Sequence, residues 1–454
     1  MKDCAVLSFM QKTKGHTGER TNMTLKSNRI KIASAAVLAI AMGLSGCGTD
    51  QGSGDYVDAV KNGEIKGEIT FQTWNLKASF EDYFNGLIDD FEKENPGTTV
   101  KWIDQPADNY ADKLSADASG GTLPDVINFD QNTSYPLAKN GYLMDMAKVA
   151  GDAKDIYLEK AWDVATWKSI DGGTYALPWY LTTGPSLFNT ALFEKAGLDP
   201  NDLPENFDEL FDDALEMAKT ANGDFSMFGK TPTLESFGEY GVEIMNEDQT
   251  KFTFNNEKAV EYLNRFKEVY DAGGLLPETL SQNYTGVDKS FQTARIAYMA
   301  GSAHNIQQIK DDAPSVYETL VYTPQIVNAA PNMNPQLVGV SSKTKNPATA
   351  VAFAKFVTNA KNQLGFAKEV NIFPSAKESL DDPYFTESDG SDNDEVRVMG
   401  AEQIKTAVAY SPAVYSSAMK DNLREEIAKA LQGEKSIQQA LDDAVDFCNQ
   451  RLEE

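Results

Sequence analysis

An alternation of apolar and polar positions marks the start of the folded part of the chain. Glu68 to Trp74 (EITFQTW) alternates in this way, which predicts a strand. From Phe80 to Phe91, apolar residues recur every three or four positions behind Ser79, a residue type that caps helices. Asn95-Pro96-Gly97 ends this predicted helix, and Thr98 to Ile103 is the next predicted strand.

The same order of elements continues along the chain. Tyr110 to Ala118 has the pattern of a short helix, and Asp125 to Phe129 (DVINF) is a compact apolar strand. A strand–helix–strand–helix–strand order at this spacing predicts βαβ units and a mainly parallel sheet. We therefore expect an α/β fold.

Helix and strand signals recur in the second half of the chain. Asn256 precedes a strongly periodic helix, Ile296 to Met299 has the pattern of a strand, and Pro347 occupies a first-turn position. Leu423 to Leu431 and Ile437 to Leu452 are predicted as C-terminal helices.

The N-terminus has the pattern of an export signal. Basic residues including Lys26 and Lys31 precede the apolar run 32–44 (IASAAVLAIAMGL), which is too short to span a bilayer. Residues 1–46 are therefore predicted to be a signal peptide. Residues 1–22 are too polar for a normal signal, so Met23 is the expected natural start of translation.

The end of this segment, Leu44-Ser45-Gly46-Cys47, resembles the bacterial lipobox. The resemblance implies a diacylglycerol on Cys47 and cleavage just before it. Small and polar residues follow, so residues 47–67 are predicted to be the lipidated cysteine and a flexible tether. Lipidation would remove Cys4 and leave Cys448 without a disulfide partner, as a small buried hydrophobe.

The charge balance excludes one large class of partner. Seven basic and two acidic residues precede Cys47, which leaves 34 basic and 66 acidic residues from Cys47 onward. A surface of this sign repels phosphate backbones and anionic lipid headgroups, so we expect no nucleic-acid partner and contact with a membrane by the lipid alone.

The chemistry of the chain from Cys47 onward argues against most catalytic and metal sites. His304 is its only histidine and Cys448 its only further cysteine, which nearly excludes zinc and other soft-metal centres. No G-x-S-x-G, P-loop or G-x-G-x-x-G is present, so we expect no catalytic residues and no cofactor. Paired carboxylates for glycoside hydrolysis are neither excluded nor indicated by composition.

Five fragments, in order, resemble one family: the extracellular solute-binding proteins of ABC transporters, in the maltose-binding-protein-like group. The fragments are Phe91 to Val100, Gly121 to Val126 (GTLPDV), Gly172 to Pro178 (GGTYALP), Leu187 to Gly197 and Phe291 to Gly301. The chain departs from the family pattern at Phe188, at Ala294 and after Ser302, where the usual Tyr, Gly and Trp are missing. A maltose pocket is therefore not transferred directly.

The resemblance implies two α/β lobes that are joined by several chain crossings and close over a ligand in the cleft. On this basis lobe 1 is predicted at 68–178, lobe 2 at 179–298, a return to lobe 1 at 299–340, and lobe 2 with the C-terminal helices at 341–454. It also implies a monomeric substrate-binding component that delivers a captured solute to permease subunits.

A sugar site needs aromatic platforms and polar groups that donate and accept hydrogen bonds. Candidates are residues at predicted strand ends and crossings, where open α/β sheets bind ligands. They are Trp74, Asn75, Asp130, Gln131, Trp179, Tyr180, Asn283, Tyr284, His304 and Tyr415. Each also has a plain structural interpretation, as a core aromatic, an interlobe packing residue or a helix cap. Trp102, Trp162 and Trp167 are assigned to the core.

The expected ligand is a mono- or oligosaccharide, and several alternatives stay open. Only five arginines follow Cys47, so an anion that needs an arginine clamp is disfavoured. A polyamine would need clustered carboxylates in the cleft, ferric iron would need a pair of tyrosines, and a lipoprotein glycosidase would need a catalytic carboxylate pair. A lipid-anchored binding protein on the outer face of the cell membrane indicates a Gram-positive host.

Overall fold

The computed structural model of the 454-residue chain describes residues 55–280 and 284–453. The predicted signal peptide, Cys47 and Asn283 therefore lie outside the described residues. No described helix is both long enough and apolar enough to cross a bilayer.

Six strands form the first sheet, in the order β2-β1-β3-β8-β4-β9. Strand β1 pairs in parallel with β2 and β3, as the βαβ pattern predicts, whereas β8 is antiparallel to β3 and β4, and β9 to β4. The sheet is thus mixed rather than mainly parallel. Its strands are β1 Gly67–Trp74, β2 Thr98–Gln105, β3 Val126–Phe129, β4 Leu177–Thr182, β8 Asn334–Val340 and β9 Phe373–Pro374.

Helices cover both faces of this sheet and build the first lobe. Phe71, Phe84 and Phe353 are fully buried in its core, where Phe71 meets Phe353 edge to face at 5.2 Å between ring centroids. The helices are α1 Asp55–Asn62, α2 Lys77–Glu94, α3 Tyr110–Gly120, α4 Gln131–Lys139, α5 Met146–Val149, α6 Glu159–Asp163, α14 Pro347–Val357, α15 Ala360–Glu369, α16 Pro383–Thr386 and α17 Asp392–Ile404, with 3₁₀ turns at Gly151–Ile156 and Lys377–Asp381.

The second lobe is built on a three-stranded antiparallel sheet, β6-β5-β7. Its core is separate from the first and is closed by the C-terminal helices. The strands are β5 Ser186–Asn189, β6 Tyr298–Ala300 and β7 Leu320–Thr323. The helices are α7 Thr190–Ala196, α8 Phe207–Ala221, α9 Leu234–Tyr240, α10 Glu257–Asp271, α11 Tyr284–Gln292, α12 Ala303–Asp312, α13 Pro314–Tyr317, α18 Ser417–Leu431 and α19 Ile437–Glu453.

The predicted lobe boundaries after residue 298 differ from the structure. Strands β6 and β7 pair with β5 in the second sheet, so only β8 of the segment 299–340 returns to the first sheet. Residues 347–386, predicted in lobe 2, pack on the first core through side chains such as Val351 and Phe366. The reason is burial, because α14 is apolar on most of its surface and has to be covered by the first sheet.

The segment predicted to be a tether is partly folded. Helix α1 packs on the first core with Tyr56 and Val60, and the Tyr56 hydroxyl accepts a 3.0 Å hydrogen bond from the backbone N–H of Asp145. The tether prediction is therefore wrong for residues 55–62.

Candidate functional site

The strand directions bring one edge of the first sheet to the connections between the lobes. Strands β1, β2 and β3 are parallel, so Trp74, Gln105 and Phe129 end at the same edge. Strand β8 is antiparallel to β3 and to β4, so Asn334 begins and Thr182 ends at that edge as well.

The second sheet meets the same connections with its own edge. Strand β5 begins at Ser186, and its antiparallel neighbours β6 and β7 end at Ala300 and Thr323. Three crossings join the lobes at these edges: the first (183–185), the second (324–333) and the third (405–414). Residues that follow these strand ends therefore lie at the boundary between the two lobes.

Side-chain amides and a hydroxyl tie the crossings together. Gln325 on the second crossing donates through Nε2 to Thr183 Oγ1 at 3.1 Å, and its Oε1 accepts from the N–H of Asn332 at 2.7 Å. Thr183 in turn donates to the Asn332 carbonyl at 2.9 Å. Gln403, at the end of α17, accepts from the Gln325 N–H and donates to the Gly184 carbonyl.

The third crossing pairs with the second like a short strand. Met333 N–H donates to the Val408 carbonyl at 3.0 Å, and Val408 N–H donates to the Pro331 carbonyl at 2.9 Å. The Tyr410 hydroxyl donates to the Ala330 carbonyl at 3.0 Å. These bonds join the second and third crossings into one hydrogen-bonded connection between the lobes.

Trp74 lies where the sequence places it, at the carboxyl end of β1. Its partly buried ring stacks on Tyr110 of α3, with 6.1 Å between centroids and 28° between planes. Tyr110 is fixed by a 2.8 Å hydrogen bond from its hydroxyl to the Asn128 carbonyl. The indole Nε1 is shielded from solvent and has no hydrogen-bond partner in the described structure.

Asn75 follows directly and turns the chain at the same edge. Its backbone φ of 52° is in the left-handed region, which asparagine tolerates better than most residues. Its Oδ1 accepts from the N–H of Ala107 at 3.3 Å, whereas the buried Nδ2 has no partner in the described structure. Two neighbouring residues at the end of β1 thus each hold a buried nitrogen donor that has no partner in the described structure.

Asp130 and Gln131 begin α4 at the end of β3. Asp130 caps that helix by accepting from Thr133 N–H at 2.8 Å, so its carboxylate is partly committed to a structural role. Gln131 is almost buried and donates to the Ser411 carbonyl on the third crossing. Both residues lie at the predicted edge, and Gln131 also connects the first lobe to a crossing.

Three predicted aromatic candidates are core residues instead. Trp179 is 1% exposed and stacks on Phe366, with 5.4 Å between centroids and 15° between planes, and Tyr180 packs on the same ring. A register shift in β4 between Pro178 and Leu181 accompanies the burial of these adjacent side chains in one core. These two residues therefore precede the crossing rather than lining it.

Tyr415 is the third correction. Its ring is 3% exposed, and it packs in the second core against Phe252 at 5.9 Å between centroids. Only its backbone carbonyl reaches the first lobe, where it accepts from Asn132 Nδ2 at 3.4 Å. Its hydroxyl pKa is raised by burial, in keeping with a core position.

Of the remaining candidates, His304 and Tyr284 lie on the second lobe. His304 is half-buried in the first turn of α12, a helix capped by Ser302, which accepts from Asn305 N–H at 3.3 Å. Tyr284 is the first residue of α11, and Asn283 lies outside the described residues. Their assignment to the ligand site stays a prediction.

Sequence reasoning missed a polar group on the second lobe. Burial raises the pKa of Glu239 on α9 to about 7 and that of Asp288 on α11 to about 6, while the charge of Lys230 lowers both. Asp288 also accepts from Asn305 Nδ2 at 3.2 Å, close to His304 in the chain. No motif surrounds these residues, so no sequence signal could have found them.

A further contact between the lobes lies beside the third crossing. Lys168 pairs with Glu247 at 3.0 Å, and its N–H donates to the Gln249 side chain at 3.2 Å. A cavity of about 230 Å³ lies next to this contact. It is lined by Gln131, Tyr135, Lys160, Asp163, Val164, Trp167, Ser169, Met245, Gln249, Val408, Ala409, Pro412, Ala413 and Val414. This volume is below the roughly 300–1,000 Å³ of typical small-molecule sites, so we do not assign it to the ligand.

The two-lobed architecture has a counterpart in the sequence comparison. The family described as bacterial extracellular solute-binding protein matches residues 77–364, which is more than half of the chain. The chain belongs to this family of solute-binding proteins. Its fold is that of the family 1, maltose-binding-protein-like group, as the resemblance implied.

Individual solute-binding proteins are similar over most or part of the chain. A Brucella abortus (strain 2308) protein, provisionally described as a binding protein, is 28% identical over 342 residues, 70% of this chain and 79% of the relative. The diacetylchitobiose binding protein of Streptomyces coelicolor is 27% identical over 187 residues, 40% of this chain and 41% of that protein.

A solved structure matches nearly the whole described fold. It is a Synechococcus sp. MITs9220 protein, provisionally described as an oligosaccharide periplasmic-binding protein. The TM-score is 0.70 at 26% identity, and the match covers 85% of this chain and 99% of that chain. Within residues 55–280 and 284–453 of our solute-binding protein, no three His, Cys, Asp or Glu side chains are grouped so as to hold a metal ion.

Proposed function

We propose that this solute-binding protein is the substrate-binding component of an ABC importer and captures a mono- or oligosaccharide outside the cell. Membership in the family supports the binding role. The relatives named for diacetylchitobiose and for an oligosaccharide support a carbohydrate ligand. The closing lobes would carry this ligand to the permease subunits of the importer.

One observation carries the carbohydrate assignment. Trp74 places a partly exposed aromatic side chain at the boundary between the lobes, beside polar side chains at the neighbouring strand ends. An aromatic face packs on the C–H face of a sugar ring, and polar groups beside it bind its oxygens. Asp130, Gln131 and His304 follow other strand ends at the same boundary and are the proposed additional contacts.

Lobe closure follows from a ligand that touches both lobes. Such a ligand stabilises the closed arrangement by the difference between its affinities for the two arrangements. To change the ratio of closed to open molecules from 1:99 to 99:1, the binding free energies for the two arrangements must differ by about 5.5 kcal/mol. The bonded network of Thr183, Gln325 and Asn332 gives the rotation a defined pivot.

We further propose that a lipid on Cys47 holds the protein on the outer face of the membrane, in a Gram-positive host. The support is the sequence alone, namely the apolar run 32–44 and the Leu44-Ser45-Gly46-Cys47 motif. Replacing Cys47 with serine in the full chain should move the protein from the membrane fraction to the medium and abolish incorporation of labelled palmitate. If the Cys47→Ser protein stays in the membrane fraction and still incorporates labelled palmitate, the proposed lipid on Cys47 is wrong.

A polyamine is the runner-up ligand because of the second-lobe carboxylates. Glu239 and Asp288 lie near Lys230, whose charge acts on both of them. A resident ammonium beside these carboxylates weakens the case for a cationic ligand. A glycosidase is the alternative from another class, and it would release the chromophore from a nitrophenyl glycoside, whereas a binding protein only saturates.

A thermal-shift panel tests the proposal. A ligand that binds only the native state adds about 2.7 kcal/mol to the free energy of unfolding at a concentration of 100 Kd. The melting temperature rises as a consequence. We expect at least one mono- or oligosaccharide to raise the melting temperature, spermidine to leave it unchanged, and nitrophenyl glycosides to release no chromophore. A response to polyamines without any response to sugars would reject the carbohydrate assignment.

A further inference from the structure

One end of the first lobe is positively charged although the protein is strongly acidic. It is the edge of the first sheet opposite the lobe boundary, where β1, β2 and β3 begin and β8 ends. We call it the basal face and define it by the segments 58–66, 139–142 and 341–349. These segments have a net charge of +3, whereas 34 basic and 66 acidic residues give the chain from Cys47 onward a net charge of −32. The charged residues of the basal face are Lys61, Lys66, Lys139, Lys343, Lys345, Asp58 and Glu64.

Hydrogen bonds hold the three segments of the basal face together. The Lys66 N–H donates to Thr349 Oγ1 at 2.9 Å, and that hydroxyl donates to the Lys66 carbonyl at 2.7 Å. The Ser342 N–H donates to the Tyr142 carbonyl at 2.8 Å, and its hydroxyl donates to the Gly141 carbonyl at 2.7 Å. The loop after β8 therefore lies between the end of α4 and the segment before β1, and the lysines of all three share one end of the lobe.

Most lysines of the basal face are not neutralised within the protein. All five are exposed to solvent, and Lys66 forms an ion pair with Glu64. The lysines without a carboxylate at ion-pair distance among residues 55–280 and 284–453 are Lys61, Lys139, Lys343 and Lys345. Their ammonium groups are therefore available to an external anionic surface.

An exposed apolar side chain lies among these lysines. Ile65 is 42% exposed, and within the described residues only Val321 on the second lobe is a comparably exposed large hydrophobic residue, at 38%. Binding at a bilayer surface combines insertion of apolar side chains with attraction of lysines to anionic headgroups. The basal face offers both components.

The proposed lipid anchor leads to this same face. Only residues 48–54 separate Cys47 from α1, which packs on the first core through Tyr56 and Val60. Helix α1 ends at Asn62, and Ile65 follows three residues later. A short tether of this kind keeps the basal face close to the headgroups, at a high effective concentration.

We propose that the basal face docks on the anionic phospholipid headgroups of the membrane that holds the lipid anchor. Each lysine near such a surface strengthens the attraction about fivefold, within a Debye length of about 8 Å at physiological salt. The overall charge predicted contact by the lipid alone, but the local charge of this face has the opposite sign. The eight residues of β1 separate the basal face from the lobe boundary by about 25 Å, so docking turns the proposed ligand site toward the medium. This inference rests on the proposed lipid anchor.

A polarity-sensitive fluorophore at position 65 tests the docking. In the lipidated protein Cys47 is blocked and Cys448 is buried, so Ile65→Cys can be labelled selectively with nitrobenzoxadiazole. We expect its emission to lie at shorter wavelength when the protein is anchored in phosphatidylglycerol vesicles than when it is anchored in phosphatidylcholine vesicles. Val321→Cys, labelled in the same way, is the control and should give the same emission on both lipids.

Two sets of charge variants in the labelled Ile65→Cys protein test the lysines. Replacing three lysines of the basal face should lower the ratio of docked to undocked molecules about 100-fold and abolish the shift; these changes are Lys61→Gln, Lys343→Gln and Lys345→Gln. The control makes the same change in total charge at three exposed lysines of the second lobe and should keep the shift; its changes are Lys251→Gln, Lys289→Gln and Lys420→Gln. A circular-dichroism melt confirms that each variant is folded.

The outcomes separate the docking from the anchor on which it rests. The intact mass of the processed protein shows whether it carries the lipid, and absence of the lipid overturns the anchor together with this inference. If the lipid is present, equal emission at position 65 on the two kinds of vesicle overturns the docking while the anchor stands. An unchanged shift in the variant of Lys61, Lys343 and Lys345 does the same.

Discussion

Gly184 shows how closely the first crossing approaches the second lobe. A Cβ at this position would lie 1.9 Å from the Gly301 carbonyl oxygen, a backbone atom that has little freedom to move. Gly184→Ala should therefore lower the free energy of unfolding by about 1–3 kcal/mol, as other forced insertions do. Urea unfolding followed by fluorescence measures this change.

Gly86→Ala is the matched control. Gly86 lies inside α2, and a Cβ there would meet nothing within 4 Å. Alanine should stabilise that helix by about 0.5–1 kcal/mol because it removes the backbone freedom of glycine. Equal effects of the two substitutions would argue against a close contact at the crossing.

Glu239 predicts a pH dependence of stability. Its pKa is raised from 4.5 to about 7 in the folded state, mainly by burial, so the folded protein binds more protons than the unfolded chain in this interval. The free energy of unfolding then falls as the pH rises from about 4.5 to 7. Glu239→Gln should remove this loss and be more stable than the wild type at pH 8, by roughly 1–3 kcal/mol.

The sign of this effect is tested by urea unfolding at pH 5 and pH 8. The advantage of Glu239→Gln should be large at pH 8 and small at pH 5. Glu243→Gln, an exposed position in the same lobe, is the control and should change little between the two pH values. An advantage that is larger at pH 5 contradicts the proposed titration.

At the residue scale, the sequence does not distinguish aromatic residues at the lobe boundary from aromatic residues in the core. The sequence placed Trp74 after the first strand and Trp179 at the first crossing, but only Trp74 is at the lobe boundary. Trp179 is buried because Phe366, far along the chain, supplies a ring to stack on it. Such a neighbour follows from the folded topology and has no local signal.

At the scale of elements, helix caps are the signals that the structure confirms. Asn256 caps α10 by accepting from Ala259 N–H at 3.2 Å, and its Nδ2 donates to the Glu243 carbonyl at 3.1 Å. Asn256→Ala should lower the free energy of unfolding by about 1 kcal/mol. Asn256→Asp keeps the acceptor and should lose less, so equal losses in chemical unfolding would count against the cap.

Element boundaries were less predictable than element types. The helix expected behind Ser79 begins at Lys77, and its early residue Phe80 has non-helical angles of −128° and 24°. Asp104 explains the difference, because its carboxylate holds the N–H groups of Leu76 and Lys77. The start of α2 is thus fixed by a residue of β2, which local patterns do not reveal.

At the scale of the whole molecule, the order of lobes depends on long-range pairing. The family resemblance gave the α/β class and the two lobes, and the structure confirms both. The family resemblance did not place residues 347–386 in the first lobe, because their apolar surface would fit either core. Their position is decided by contact with Phe71 and Phe91, which lie more than 250 residues earlier.

Closure of the lobes is measurable in solution. The radius of gyration from small-angle X-ray scattering should fall when the sugar identified in the thermal-shift panel is added, since the ligand stabilises the closed arrangement. A sugar that does not change the melting temperature is the control and should leave the curve unchanged. Binding without any compaction would contradict closure as the means of delivery.

Helix α1, which packs on the first lobe, determines how the protein would be attached to the membrane. With the lipid proposed on Cys47, the tether between the bilayer and the folded protein consists of residues 48–54 only. These seven residues reach at most about 25 Å when fully extended. The tether ends at the first lobe, because Tyr56 and Val60 pack on the core of that lobe. The first lobe would then stay within about 25 Å of the bilayer, and the second lobe would move relative to it with each round of capture and release.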